Sequence, residues 1–99
     1  MNLKQVLEAA EPIADKHPKA RIETELTRRR RARRLFVHWA RDNFNFEDIA
    51  STLNISREAI YYHLHRGLDK EEKKLLIELN ATADPVKVWW EENRNGEST

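Results

Sequence analysis

The densest group of side chains able to make specific polar contacts lies between residues 56 and 66. Its members are Ser56, Arg57, Glu58, Tyr61, Tyr62, His65 and Arg66. In contact with DNA, an arginine can pair with guanine O6 and N7, a glutamate can accept from cytosine N4, and a tyrosine ring can cover a thymine methyl group. The same residues also fit an arrangement in which the tyrosines are half-buried and Arg57 is a solvated surface group. The residue types alone leave both interpretations open.

A second set of charged residues is the run TRRRRARR, from Thr27 to Arg34. The window from Lys19 to Arg41 holds nine basic residues against two acidic ones, a balance of +7, and the rest of the chain sums to -6. The net charge of +1 therefore conceals a separation of charge along the chain. Such a separation produces a directional electric field, which favours an anionic partner at the basic end.

Inside this window the spacing separates apolar from basic residues around one helix. At about 100° per residue, one stripe consists of Ala32, Leu35, Phe36, Trp39 and Ala40. The group roughly opposite consists of Arg30, Arg31, Arg34, His38 and Arg41. We therefore expect Arg30, Arg31 and Arg34 to be free to bind phosphates, which would make binding depend on salt. Arg29 and Arg33 are expected to snorkel along the surface or to meet acidic groups.

The arginine run also has an interpretation that involves no nucleic acid. It can be an ordinary solvated face, or it can pair with the acidic segments Glu71–Glu72 and Glu91–Glu92 of the same chain.

The composition favours one all-α domain with a modest core. A chain of 99 residues buries only about two-thirds of its unfolded surface, and this one has two glycines and three prolines among many helix-forming residues. The absence of cysteine excludes disulfides and thiolate metal sites. No apolar run approaches the roughly 18 to 20 residues of a membrane span, and the first ten residues lack the order of a signal peptide. We expect a cytoplasmic, nucleoid-associated protein, or one in the host cytoplasm if phage-encoded.

Capping residues and helix breakers divide the chain into helices. Asn2 with Gln5 starts the first helix, which ends near Glu11–Pro12 or, as the better boundary, at His17–Pro18. The alternative is a helix that continues through Pro12 with a kink. The following helices are expected over Lys19 to Asn43, Phe46 to Leu53, and Arg57 to about Arg66.

Further capping signals mark the central and C-terminal helices. The expected caps are Asn45, Ser56 and Asp69, the last of these with Glu72 in a capping box. Gly67 is expected to stop one helix, and Asp84–Pro85 to open a short last one that carries Val86, Val88, Trp89 and Trp90. The polar residues 93–99 are expected to form a frayed, flexible tail.

The stretch IASTLNISREAIYYHL, from Ile49 to Leu64, has the apolar spacing that a helix-turn-helix requires. Ala50 must be small because the second helix crosses there, and Asn54 can make the turn because asparagine readily adopts a positive φ. The stretch resembles the helix-turn-helix of sigma-factor promoter-reading domains and of serine recombinases. It departs from such families at Asn54, where glycine is usual, and at His63, where the residue is often apolar. His63 is expected at the edge of the core with its ring tip in water.

The resemblance implies a three-helix unit whose last helix enters the major groove of double-stranded DNA. The base contacts that it implies fall on Arg57, Glu58, Tyr61, Tyr62 and His65. The expected phosphate contacts are Ser56, Arg66, Arg30, Arg31 and Arg34. On this basis the chain divides into an N-terminal helix at 1–18, the DNA-binding unit at 19–68, C-terminal helices at 69–92 and the tail at 93–99.

Adjacent tryptophans are costly to leave exposed, so Trp89 or Trp90 is expected to cover Leu75, Leu76 and Leu79. The next alternative is that the tryptophan surface joins two copies of the chain. A homodimer is expected in either case, because two-fold pairs of such units double the contact with a palindromic site. It would be built from the N-terminal helix, from the C-terminal helices, or from both.

Catalysis is not expected, and no cofactor is indicated. No pair among the four histidines has the i, i+4 spacing of a helical metal site, and there is no glycine-rich phosphate loop or nucleophile elbow. The favoured function is a small transcriptional regulator, from a phage, another mobile element or a bacterium, that represses a promoter or contacts RNA polymerase. The alternatives are a DNA-packaging or recombination accessory and a protein-interaction module that binds an acidic partner of the transcription machinery.

Overall fold

The computed structural model describes residues 1–97 and contains, within that range, six α-helices and no strand. The helices are α1 (Leu3–Ala14), α2 (Glu25–Ala40), α3 (Phe46–Leu53), α4 (Arg57–Arg66), α5 (Lys70–Thr82) and α6 (Pro85–Glu97). The expected all-α fold is therefore confirmed. None of these helices combines the length and the apolarity that crossing a membrane requires.

The N-terminal boundaries differ from those expected. The Asn2–Gln5 capping box is present, but α1 contains Pro12 and ends at Ala14, before the His17–Pro18 boundary. Residues 15–24 form turns, so α2 begins at Glu25 with Thr24 as its cap rather than at Lys19. The buried His17 ring contributes to this, because its Nδ1 accepts from the Lys19 amide at 3.1 Å and offers the backbone an alternative to a helix.

Helix α2 lies at the centre of the fold and packs against α1, α3, α4 and α5. Its residues Leu35, Phe36 and Val37 are fully buried although they are consecutive, so more than one face of the helix is covered. The other fully buried large side chains come from the surrounding helices, and they are Val6, Ile49, Ile60 and Leu79. One continuous core therefore surrounds α2.

The connection between α3 and α4 is a three-residue turn that begins at Asn54. Asn54 adopts φ 53° and ψ 49°, which confirms the expected left-handed conformation. The next amide, of Ile55, donates to the Ala50 carbonyl at 3.0 Å and so closes the end of α3. The expected caps Asn45 and Ser56 are both present, each accepting from an amide in the first turn of its helix.

The C-terminal helices join the core differently from expectation. Asp69 and Glu72 form the expected capping box of α5. The α6 side chain that enters the core is Val88, whereas Trp89 and Trp90 are 36% and 56% exposed. The expectation that a tryptophan covers the leucines of α5 is therefore wrong. The reason is helical geometry, because about 200° separates residues two apart, and burying Val88 turns Trp90 outward.

The expected tail is in part helical, since α6 continues through Glu97. Residues 98 and 99 of that tail lie outside the described residues.

We predict that Ala50→Leu lowers the free energy of unfolding by about 1 to 3 kcal/mol, because extra methyl groups do not fit where α3 is buried against its neighbours. Urea unfolding measures the loss. Ser51→Leu is the matched control, since Ser51 is the next residue of the same helix and is exposed. Equal stability of the two variants would contradict the close packing at Ala50.

Candidate nucleic-acid interface

Helix α4 presents its outer face to solvent along its full length. The residues expected to contact bases are all exposed: Arg57, Glu58, Tyr61, Tyr62 and His65. Ser56 and Arg66, expected to contact phosphates, are exposed at the two ends of the helix. The tyrosine side chains are 56% and 62% exposed, so neither is core. The alternative in which these two tyrosines are half-buried is therefore wrong.

The inner face of α4 is narrow and rests mainly on α2 and α3. Ile60 is its one fully buried side chain, and Leu64 packs against the core while partly exposed. The Tyr61 ring meets the Phe46 ring edge to face at a centroid distance of 5.1 Å, so α3 holds this tyrosine from one side. Such aromatic contacts restrict the ring and leave its hydroxyl able to reach outward.

Two half-buried histidines lie between α2 and α4. His38 Nε2 is 3.3 Å from the carbonyl oxygen of His63 and donates to it, which ties the two helices together. The Nδ1 atom of His63 is shielded from solvent and has no partner within the described residues. His63 thus lies at the edge of the core, and its ring is more enclosed than expected.

The pKa of each of these two histidines lies below its ordinary value, which favours the neutral form. Burial lowers the pKa of His38, and the nearby Arg41 and Arg34 act in the same direction, against the hydrogen bond to His63. Burial likewise lowers the pKa of His63, reinforced by Arg34 and Arg33. A proton on either ring would add a positive charge to a region that is already cationic.

The expectation that Arg31 and Arg34 are free for phosphates is wrong. They are only 6% and 8% exposed. Arg31 Nη2 donates to Glu23 Oε1 at 2.5 Å, and Arg34 Nη1 donates to Glu72 Oε2 at 2.7 Å. These two members of the stripe opposite the apolar residues are enclosed instead of solvated because α2 is covered on more than one side. The alternative pairing with Glu71–Glu72 is correct for Glu72.

The exposed arginines of α2 are therefore only in part the ones expected. Arg30 is exposed as expected, and Arg29 meets an acidic group as expected, in a surface ion pair with Glu25 at 2.8 Å. Arg33 is exposed too. The hydrogen bond from Arg31 lowers the pKa of Glu23, which keeps this carboxylate charged beside its partner.

The structure brings four of the predicted phosphate contacts together in one place. Arg30, Arg31, Arg34 and Arg66 line a cavity of about 490 Å³ between α2 and the junction of α4 with α5. Ser56 is at the opposite end of α4 and is not part of it. Lys19 also lines the cavity, and no spacing or periodicity in the sequence marks it. Within residues 1–94, whose side chains the structure describes, no group of three or more histidine or acidic side chains is placed to hold a metal ion.

In comparisons with known proteins, no protein-family model, curated protein or solved structure matches the chain.

We predict that Glu72→Gln lowers the free energy of unfolding by about 3 to 5 kcal/mol, because it leaves the buried Arg34 without a carboxylate. The glutamine side-chain oxygen can still accept from the Asp69 amide and so keep the capping box. The loss of stability therefore measures mainly the removal of the carboxylate charge. Glu71→Gln is the control, since its exposed pair with Lys74 contributes about 1 kcal/mol or less. A loss no larger for Glu72→Gln than for Glu71→Gln, in urea unfolding, would show that the buried pair is unimportant.

We also predict that stability falls as the pH is lowered from about 6.5. The folded-state pKa values of His38 and His63 lie below the ordinary value of 6.5, so below that pH the unfolded chain binds protons more tightly than the folded chain does. Urea midpoints between pH 8 and pH 5 measure this loss. His63→Gln should flatten the profile, and the exposed His65→Gln should leave it unchanged. If the urea midpoint fell equally steeply with pH in wild type and in His63→Gln, protonation of His63 would not be the cause of the pH dependence.

Proposed function

We propose that the protein is a sequence-specific DNA-binding transcriptional regulator that inserts α4 into the major groove. The observation that carries the proposal is the exposure of every outward residue of α4, from Arg57 to Arg66, while α2 and α3 support the helix from behind. The B-DNA major groove is about 12 Å wide and admits one α-helix presented in this way. The proposed role is one of binding and not of catalysis.

The side chains on α4 suit base recognition. Arg57, in the first turn, can form paired hydrogen bonds with guanine, and Glu58 beside it can accept from cytosine. Tyr61 is positioned by its contact with Phe46, so its hydroxyl is presented at a defined place on the helix surface. Tyr62 and His65 extend the same exposed surface toward the C-terminal end of the helix.

Phosphate contacts are proposed for groups at the margins of α4. Ser56 caps the helix, and the amides of the first turn carry a partial positive charge that favours an anion. Arg66 and Arg30 supply exposed guanidinium groups near the other end. Arg31 and Arg34 no longer belong to the set of freely exposed contacts, because carboxylates already engage them.

We propose further that the protein acts as a homodimer through the outer face of α6. Trp89 and Trp90 follow Val86 by three and four residues, and all three side chains are exposed on this face. A second copy would cover these apolar side chains and would place two α4 helices on one duplex. Two half-sites about one helical turn apart would then be bound together, which a single small domain cannot do.

Selection of bound fragments from a random DNA pool tests the function directly. Recovery of one sequence in two inverted copies supports both base recognition and the dimer. Recovery of single copies supports recognition alone. The absence of any enriched sequence would overturn the proposal.

We predict that Arg57→Ala weakens binding to the selected site by about 1 to 3 kcal/mol and relaxes the preference at one base pair. Arg30→Ala should instead weaken all sequences alike and reduce the slope of log affinity against log salt by about 1, because it removes a phosphate contact. Gel-shift titrations at several salt concentrations distinguish the two effects. Unchanged discrimination in Arg57→Ala would exclude it as a base contact.

A further inference from the structure

The cavity between α2 and the α4–α5 junction has an excess of positive charge. Its volume of about 490 Å³ lies within the range, roughly 300 to 1,000 Å³, of sites that hold small ligands. The charged residues in its lining are Lys19, Arg30, Arg31, Arg34, Arg66, Glu23, Asp69 and Glu72. Five are basic and three are acidic, so the formal charge of the lining is +2.

The acidic residues of the cavity are already engaged. Glu23 and Glu72 accept from Arg31 and Arg34, and Asp69 Oδ2 is 3.1 Å from His17 Nε2. Lys19, Arg30 and Arg66, in contrast, form no ion pair with an acidic side chain of residues 1–94. The excess charge is therefore concentrated on three exposed basic side chains that face one space.

The base of the cavity also holds guanidinium N–H groups without acceptors. Arg31 Nε, Arg31 Nη1 and Arg34 Nε are shielded from solvent and make no hydrogen bond within the described residues; Arg31 Nε is 3.8 Å from Glu72 Oε2, too far for a hydrogen bond. Glu23 Oε2 is likewise shielded and accepts no hydrogen bond. A buried donor left unpaired costs free energy, and more so when it belongs to a charged group. An acceptor that is rich in oxygen and negative charge would relieve this cost after a small movement of the two side chains.

We propose that this cavity binds a phosphate group. The ligand would contact Lys19, Arg30 and Arg66 at the mouth, and its oxygens would reorganise the Arg31 and Arg34 guanidiniums below. Phosphate suits this set because guanidinium groups match its geometry with paired hydrogen bonds, and its charge balances the excess on the lining. Because Arg66 and Gly67 end α4 and also line the cavity, a bound phosphate fixes the end of the exposed helix.

The bound phosphate group can belong either to a free small molecule or to the backbone of a DNA duplex. The second source rests on the proposed function, and the first does not. A free ligand would make α4 responsive to a cellular anion, whereas a duplex phosphate would dock at the C-terminal end of the helix.

The first experiment measures binding of inorganic phosphate and of pyrophosphate to the intact chain by titration calorimetry at constant ionic strength. Binding is expected with wild type, with at least about a tenfold rise in Kd in Arg30→Ala/Arg66→Ala. Both substituted residues are exposed, so the variant should fold. Arg33→Ala is the matched control, because Arg33 is an exposed arginine of the same helix that lines a different cavity. Absence of binding, or an equal loss in the control, overturns the proposal.

A second measurement needs no variant. In NMR spectra of the wild-type chain, the Nε–H signals of Arg31 and Arg34 are expected to shift as phosphate is added. Shifts confined to Arg33 and Arg57 would instead show diffuse surface binding and overturn the assignment.

Duplex DNA distinguishes the sources. If the duplex displaces pyrophosphate, and Arg30→Ala/Arg66→Ala weakens both ligands, the backbone occupies the cavity. If duplex and pyrophosphate bind together, the ligand is a free anion. Phosphate binding without any DNA binding would leave this inference standing and overturn only the proposed function, and DNA binding without phosphate binding would do the reverse.

Discussion

The packing of four helices around α2 is the constraint on which the rest of the structure depends. Helices α1, α3, α4 and α5 all lie against it, and three consecutive residues, Leu35, Phe36 and Val37, are fully buried as a result. A helix covered so widely cannot keep six nearby arginines in water. Two of them, Arg31 and Arg34, are enclosed and require carboxylates, which come from the preceding turn and from α5.

These buried ion pairs connect α2 to the preceding turn and to α5, and they fix the relative positions of these segments more specifically than apolar contacts do. Burying charge costs free energy even when the charge is paired, so a buried pair adds less to total stability than to the choice of one arrangement. Glu72 serves both the start of α5 and Arg34, and this fixes where α5 begins relative to α2. The support of α4 depends on that position, because α4 ends at the loop that leads into α5. The buried pair of Glu72 with Arg34 therefore also helps to position the exposed helix α4.

The sequence predicted the features that depend on neighbouring residues. The caps at Asn2, Asn45, Ser56 and Asp69 and the left-handed Asn54 are confirmed, because each is decided by hydrogen bonds and sterics within a few residues. The exposure of the α4 outer face also followed from local spacing. Whether that face binds DNA stays a prediction.

The errors arose where the outcome depended on tertiary packing. A helical wheel assumes one covered face, and α2 has several, so Arg31 and Arg34 were assigned to solvent. In α6 the total apolar content suggested a buried tryptophan, but the smaller Val88 enters the core and sets the rotation of the helix. The cavity that gathers Lys19 with Arg30 and Arg66 could not be predicted, because its parts come from distant segments.

The indole of Trp39 has a consequence for assembly. Its Nε1 donates to the carbonyl oxygen of Ala83 at 2.7 Å, in the short link between α5 and α6, and the bond is buried. This contact ties the link between α5 and α6 to α2, the helix that also supports α4. A second tie joins α6 to the start of α1, where the Leu3 amide donates to Glu92 Oε1 at 2.7 Å. A copy or partner bound at the outer face of α6 would therefore take its orientation relative to α4 from these two ties and from α2.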